Sequence, residues 1–234
     1  MLFTYWDTGP FPDDGIVAAW SAEFSDFTVF SRDDVTELVQ QRIPGSLDLW
    51  NRIAIPACRS DLARVLLLAE YGGLYVDAHC TVGDPLSLRR LLSILESVEL
   101  VAIDRVNLHK RPGDVHLVNG ALAAQAHSAL IEDLLACLLN NLHEQFDRES
   151  QTDDYVPYNL AVVTGAWNLR LLLCEVGDDN EVRLNNALHG RAHLLRLPDP
   201  AFGTPFNFHA NYGYRKPGMH WSERQLTERL FEPE

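Results

Sequence analysis

No stretch of this 234-residue sequence approaches the ~20 uninterrupted apolar residues that a membrane-spanning helix needs. The longest apolar runs, such as Val65 to Ala69, are short and flanked by charge. No basic segment backed by an apolar run precedes the strand-like Leu2 to Trp6, so a secretory leader is not expected. The four cysteines (Cys58, Cys80, Cys137 and Cys174) are too scattered for a zinc knuckle or a disulfide framework, and the expected compartment is the reducing cytoplasm. Positive charge is scarce as well: 19 Lys and Arg against 33 Asp and Glu leave a formal net charge of −14. That balance argues against a nucleic-acid partner, because phosphate backbones need concentrated cationic side chains. The same field would oppose a diphosphate, and a bound cation would offset it locally. There is no repeat, low-complexity tract or linker, and the length fits one domain over residues 1–234.

What is present is an alternation of strand and helix. Leu2 to Trp6 and Phe27 to Phe30 read as strands, with an amphipathic stretch from Gly15 to Phe24 between them. Asp33 reads as an N-cap for a helix over Val35 to Ile43. Ser60 to Tyr71 carries a helical stripe of Leu62, Val65, Leu66 and Ala69, ended by Gly72-Gly73, after which Leu74 to Val76 enters as a buried strand. Pro85 to Ser97 reads as a helix, Leu100 to Asp104 as a strand and Ser128 to Phe146 as a long amphipathic helix. Ser222 with Gln225 reads as a capping box for a last helix through Phe231. Alternating units of this kind imply a parallel or mixed sheet with helices on both faces, whose ligands sit beyond the carboxyl ends of the strands. Two turns occupy such places: Trp6-Asp7-Thr8-Gly9-Pro10 and Asp77-Ala78-His79.

Asp77 and His79 sit two apart after a hydrophobic strand, so in extended backbone their side chains share a face. A carboxylate oxygen and an imidazole nitrogen suit a borderline divalent cation such as Mn²⁺, with Mg²⁺ as the alternative. Such an ion could bridge a diphosphate and neutralise charge on a leaving nucleoside diphosphate. The plainer alternative is an Asp that opens a turn beside a surface His. Asp61 and Arg64, three apart, share a helix face, and the plainer reading of the pair is a helix-surface ion pair worth little.

The run Arg59-Ser60-Asp61-Leu62-Ala63-Arg64, followed by Glu70-Tyr71-Gly72-Gly73-Leu74-Tyr75-Val76-Asp77-Ala78-His79, resembles the signature of glycosyltransferase family 32, and more distantly the large clostridial glucosylating toxins. The close match covers about Pro56 to His79. The resemblance implies a GT-A-type, Rossmann-like α/β domain with a mixed sheet flanked by helices. It also implies a nucleotide-sugar donor, a UDP-sugar in the first instance, with retention of anomeric configuration. In that pattern Asp61 contacts the nucleoside, Arg64 the donor sugar or phosphate, and Tyr75 faces the same cleft. Asp77 and Arg64 are the residues expected to carry the chemistry, since no nucleophile is identifiable. The family's second Asp is His79 here, a departure with a precedent in the Asp-x-His of polypeptide N-acetylgalactosaminyltransferases.

Further echoes complete the expected site. Trp6-Asp7-Thr8-Gly9 resembles the family's first loop, where an aromatic or backbone groups hold the base, and Trp6, Thr8 and Gly9 are the residues expected at the donor. Val118-Asn119-Gly120 looks like its Asn-containing segment near the sugar, and Thr164-Gly165-Ala166-Trp167 like its Thr-Gly-Pro loop, with Trp167 as the side chain toward the donor. His209 is the expected third metal ligand with His220 as its rival, and Lys216 could reach the diphosphate. Asp104, at its strand's end, could face the site too. The acceptor (glycan, lipid-linked sugar or protein side chain) is open, and so short a chain could rely on an oligomer or partner to build its acceptor site. The rival reading is an inactive nucleotide-sugar-binding module in which the Asp-to-His change has ended turnover.

Overall fold

A computed structural model describes residues 1–7, 9–11, 14–105, 115–178, 181–197, 203–208, 218 and 220–233. The elements run β1 (Leu2–Trp6), α1 (Asp14–Glu23), β2 (Phe27–Ser31), α2 (Arg32–Arg42), α3 (Leu47–Arg52), α4 (Pro56–Tyr71), β3 (Gly73–Val76), β4 (Thr81–Val82), α5 (Pro85–Leu95), β5 (Leu100–Arg105) and β6 (Leu117–Ala124). They continue with α6 (Ala129–Ser150), α7 (Leu160–Val163), α8 (Ala166–Leu173), β7 (Cys174–Val176), β8 (Val182–Leu184), β9 (Ala192–Leu197), β10 (Phe206–Asn207) and α9 (Trp221–Arg224). Six strands form the main sheet in the order β2-β1-β3-β6-β5-β9. β6 runs antiparallel to both its neighbours, and the other pairings are parallel, so the sheet is mixed.

Strand alternation divides the core into two layers. Phe3, Tyr5, Tyr75, Leu122 and Ala124 face α2, α3, α4 and α6. Leu2, Leu74, Val76, Ala121 and Ala123 face α1 and α5, where Trp20, Leu88 and Leu91 are fully buried. Helices cover both faces, which is why the central strands read as near-continuous apolar runs. No helix among the described residues is long and apolar enough to cross a membrane.

Several boundaries differ from the sequence expectation, each for a local reason. α2 is capped by Ser31, not Asp33: the Ser31 side chain accepts from the Asp34 amide, and Asp34 returns a bond to the Ser31 amide, a reciprocal box. α4 begins at Pro56 rather than Ser60, because proline at the first helical position needs no hydrogen-bonding amide. Its apolar stripe widens into burial on every side over Leu62–Ala69, since the helix lies between the sheet and α6. The last helix is only Trp221–Arg224, capped by the His220 ring accepting from the Ser222 amide, and the expected Ser222–Gln225 box does not form. Gly72 (φ +61°) and Gly73 (φ +102°) make the helix-to-strand turn, where a Cβ on Gly73 would stand 2.1 Å from the Met1 carbonyl oxygen.

Candidate functional site

β1 and β3 are adjacent and parallel, and the chain leaves both at the same edge of the sheet. A cleft of about 540 Å³ opens there, its floor made by these strand ends and α4. Asp77 is placed by its backbone, whose amide donates to the Gly120 carbonyl at 2.8 Å. The Cys80 amide then returns to the Asp77 carbonyl at 2.8 Å, so Asp77-Ala78-His79 is a tight turn and not the extended segment the spacing suggests. From the opposite layer, the Trp20 indole N–H donates to the Cys80 carbonyl at 2.9 Å and pins the end of this turn. Asp77 and His79 both line the cleft, half-buried.

A buried charge network forms the floor. Arg64, its side chain 4% exposed, donates through Nη1 to Asp61 Oδ1 and through Nη2 to Asp77 Oδ1, both at 2.8 Å. The pair is therefore far from a surface ion pair: one guanidinium spans two carboxylates in a region of low dielectric. Asp61 Oδ1 also accepts from Asn119 Nδ2 at 2.8 Å, and its Oδ2 from the Thr164 hydroxyl at 3.1 Å. Asn119 reaches it because the β5–β6 register jumps after Ala102↔Leu122 to Ile103↔Val118, leaving residues 119–121 without partners on β5. The Tyr75 hydroxyl donates to Asp77 Oδ1 at 3.0 Å, and the Arg64 guanidinium lies 4.6 Å over the Tyr75 ring.

This arrangement tunes the groups. Burial pushes the Asp61 carboxyl up to about 6 against the pull of Arg64, and Asp77 adds to the rise. Burial works against the Arg64 charge, but Tyr75, Asp77 and Asp61 outweigh it and raise its pKa. Burial, then the neighbouring Asp77, drive the Tyr75 phenol well above its ordinary range, so it remains a hydrogen-bond donor.

Of the residues expected from sequence, Trp6, Asp61, Arg64, Tyr75, Asn119 and the Asp77–His79 pair line the cleft, and so does His220. Thr164 reaches the cleft through its bond to Asp61, and Gly165 and Ala166 line it. Trp167 does not: it is half exposed on the outer side of α8, with the Arg170 guanidinium 5.2 Å over its ring. Gly9 is exposed outside the lining. Asp104 faces away, its Oδ1 accepting the His116 amide at 2.7 Å and its Oδ2 lying 3.7 Å from Arg196. Thr8, His209 and Lys216 lie outside the described residues.

Sequence reasoning missed two parts of the site. One is the part played by Asp7, which the sequence placed in the Trp6–Pro10 turn without a role of its own: it lines the cleft after β1 and pairs with Arg59 of α4. The period of two linking Tyr5 to Asp7 was the available signal. The other is the mouth of the cleft, formed by Ile55–Ala57, Leu160–Ala161 and the segment carrying His220, Trp221 and Arg224. Residues 220–233 bind these walls together as a strap. The Gln225 side-chain oxygen accepts the Leu160 amide at 2.9 Å, and its carbonyl accepts the Tyr155 hydroxyl at 2.6 Å. Farther along, the Ala54 amide donates to the Leu230 carbonyl at 2.8 Å, while buried Glu149 accepts the amides of Leu230 and Phe231 at 3.0 and 3.1 Å.

Residues 11–97 match the family model of the glycosyltransferase sugar-binding region containing DXD motif. No curated protein matches the chain in sequence. Among solved structures it is similar to the PaToxG glycosyltransferase (12% identity, TM-score 0.43, covering 73% of this chain and 67% of that one). It is also similar to the UDP-bound glycosyltransferase domain from the YGT toxin (10% identity, TM-score 0.47, 87% of this chain and 58% of that one) and to its ligand-free form (10%, 0.38, 65% and 51%). The chain thus spans between about half and two thirds of the length of these structures. Asp61, Arg64, Tyr75, Asp77 and His79, the floor of the cleft, all fall within the span that matches the family model.

Proposed function

We propose that this protein is a metal-dependent glycosyltransferase that moves a sugar from a UDP-sugar to an acceptor. The observation that carries the reading is the Asp61–Arg64–Asp77 network, buried at the cleft floor inside the matched region. A guanidinium fixed between two carboxylates cannot swing away, so its remaining field is preorganised toward a diphosphate entering from the cleft.

Asp77 fits a cation. Both of its donors, Arg64 and Tyr75, bind Oδ1, and no donor among the described residues reaches Oδ2. Asp77 Oδ2 and the His79 imidazole would hold the ion, which when bound would stabilise charge on the departing nucleoside diphosphate. No group of three or more His, Cys, Asp or Glu is set to hold a metal among the described residues. Two protein donors suit an ion completed by water and phosphate oxygens, as in sites where substrate phosphates supply the remaining ligands. In this reading Asp61 orients Arg64 and presents a carboxylate to the nucleoside, Tyr75 holds the Asp77 carboxylate, and Asn119 holds Asp61. Retention of configuration is the outcome that the family resemblance implies.

Nucleotide release from a panel of UDP- and GDP-sugars, with Mn²⁺ or EDTA, tests the proposal. Release from one donor, abolished by EDTA and reduced about 10²–10³-fold in Asp77→Ala, is expected. Unchanged turnover of Asp77→Ala at saturating Mn²⁺ would remove the metal assignment. His79, standing where the DXD pattern has its second Asp, favours one alternative: Mn²⁺-dependent UDP binding without product would identify an inactive binding module.

A further inference from the structure

Asp77 marks a boundary along the sheet edge. β6 is antiparallel to both β3 and β5, and β5 is parallel to β9, so β1, β3, β5 and β9 all end at the same edge. The cleft takes up the β1 and β3 ends and reaches β6 only at Asn119. Beyond Asp77 the neighbours differ in kind. A Cβ added to Gly120 would stand 2.9 Å from Asp77 Oδ2 and 3.7 Å from Phe208 Cδ1, so the carboxylate oxygen and the phenyl edge border the same space. Phe208 follows β10, which pairs with β4 just after the Asp77 turn, and its ring packs edge-on to buried Phe206, with centroids 5.7 Å apart. At the end of β5, the Arg105 guanidinium lies 5.9 Å over the Phe208 ring. Its backbone is fixed, the amide donating to the His116 carbonyl at 2.9 Å.

This side of Asp77 carries a cation in a chain where acids outnumber cations 33 to 19. Strand alternation turns Asp104 and Arg105 to opposite faces of the sheet. Asp104 is engaged by the His116 amide and by Arg196, whose Nε lies 3.7 Å from its Oδ2, whereas Arg105 turns toward Phe208. A guanidinium has five N–H donors in a planar fork, so it can keep the contacts that hold it and still pair with a carboxylate or phosphate. The phenyl ring adds an apolar surface beside that charge.

Resting on the donor site proposed above, we infer that Arg105 and Phe208 form a subsite for an anionic group, a carboxylate or a phosphate, on the sugar side of the transfer. The order of strands along the edge gives the direction. The nucleotide lies over β1 and β3 with its diphosphate at Asp77, so what extends over β6 and β5 is the transferred sugar or the acceptor that receives it. The anion then has two sources: a uronate carboxylate on the donor sugar, or a phosphate beside the acceptor hydroxyl. Arg105 makes the charge contact in both, and Phe208 packs against the ring or chain that carries the anion.

Two comparisons on the full chain test this. Calorimetric titration with Mn²⁺ sets UDP-glucuronate and UDP-galacturonate against UDP-glucose and UDP-galactose. Saturation-transfer NMR sets phenyl phosphate against phenol on the chain already saturated with UDP and Mg²⁺. In one of the two, the charged compound is expected to bind about 10- to 100-fold more tightly, the range for a hydrogen bond to a charged group. A preference among the nucleotide sugars places the anion on the donor, and a preference for phenyl phosphate places it on the acceptor. The preference should vanish in Arg105→Gln, shrink in Phe208→Leu and persist in Arg183→Gln, which removes the same charge from an exposed side chain of β8. No preference in either comparison overturns the inference, as does one that Arg105→Gln retains or Arg183→Gln also removes. If Arg105→Gln does not fold, Phe208→Leu decides, and an undiminished preference there overturns it. In each of these outcomes UDP binding by the wild type leaves the donor site standing. A wild type that binds UDP in no condition overturns the donor site and the inference together.

Discussion

The floor and the mouth of the cleft are built on different principles. The floor draws on residues 5–7, 59–64 and 75–79, all close to two neighbouring parallel strands and one helix buried on every side. Its polar groups are held by ion pairs spanning elements, and the Arg64 and Arg59 side chains are only 4% and 7% exposed. The mouth draws on residues 55–57, 160–166 and 220–224, which no strand unites. It is held mainly by hydrogen bonds to backbone groups, supplemented by the Arg229–Glu149 ion pair at 3.5 Å, and α9 buries none of its four residues. The floor is therefore preorganised for charge, whereas the mouth belongs to the part of the molecule expected to open at lower free energy. A site of this design fixes its electrostatics and lets its rim adjust to what enters.

The contrast can be broken most directly at Arg64. Arg64→Met leaves Asp61 and Asp77 facing each other without their shared cation, and denaturant unfolding should show a loss of about 3–5 kcal/mol. UDP binding should disappear along with it. A loss below 1 kcal/mol would show that the floor is not the rigid part.

A smaller effect is expected from the mouth. Glu149→Gln turns an amino group toward one of the two strap amides and should cost about 1–3 kcal/mol. Hydrogen exchange should speed up at Leu230 and Phe231 while the amides of β1 and β3 keep their protection. Uniform acceleration across both regions would erase the distinction between them. The donor KM should rise with little change in kcat.

The pH dependence of stability sharpens the picture of the floor. Asp61 titrates at about 6 in the folded chain, above the ordinary carboxylate value near 4. The folded state therefore binds more protons in that window, and the stability due to protonated Asp61, complete at low pH, is lost as pH rises from about 4 to 6. Asp61→Asn should flatten that segment of the melting profile, and an unchanged slope would assign it to another group. The smallest effect is expected at Gly120, where an added Cβ would stand 2.9 Å from Asp77 Oδ2. Because that atom ends a side chain that can rotate, Gly120→Ala should weaken Mn²⁺ binding only several-fold, with little change in melting temperature. A full loss of Mn²⁺ binding would mean that the carboxylate has no freedom to turn.

The same division governs what could be read from the sequence. The floor was legible because its signals are local: Gly72-Gly73 marks a turn needing positive φ, and Leu74–Val76 is an apolar strand followed at once by Asp77. The start of α4 at Pro56 was not, since Ile55 before it offers no side-chain cap. His220 as a cap escaped for a related reason, because imidazole is outside the Ser, Thr, Asp and Asn set that marks helix starts. The turn at Asp77 was read as extended because the Cys80-to-Asp77 bond that closes it spans Ala78 and His79, neither of them a residue type that marks turns. Asn119 was legible as a candidate, but not the register jump that aims it at Asp61. The strap depends on bonds between Glu149 and residues some eighty positions later, which no periodicity reports.

That last feature has a consequence in time. A chain made from its N-terminus emerges with the charged residues of the floor once β3 and α4 have found β1, and Asn119 and Thr164 follow, but Leu230 and Phe231 arrive more than 150 residues after Asp77. At about 5–20 residues per second, the rim must wait roughly 8–30 s for the segment that closes it. During that interval the nascent chain holds its buried carboxylates beside an unwalled opening, and a molecular chaperone able to shield that face would meet its client there.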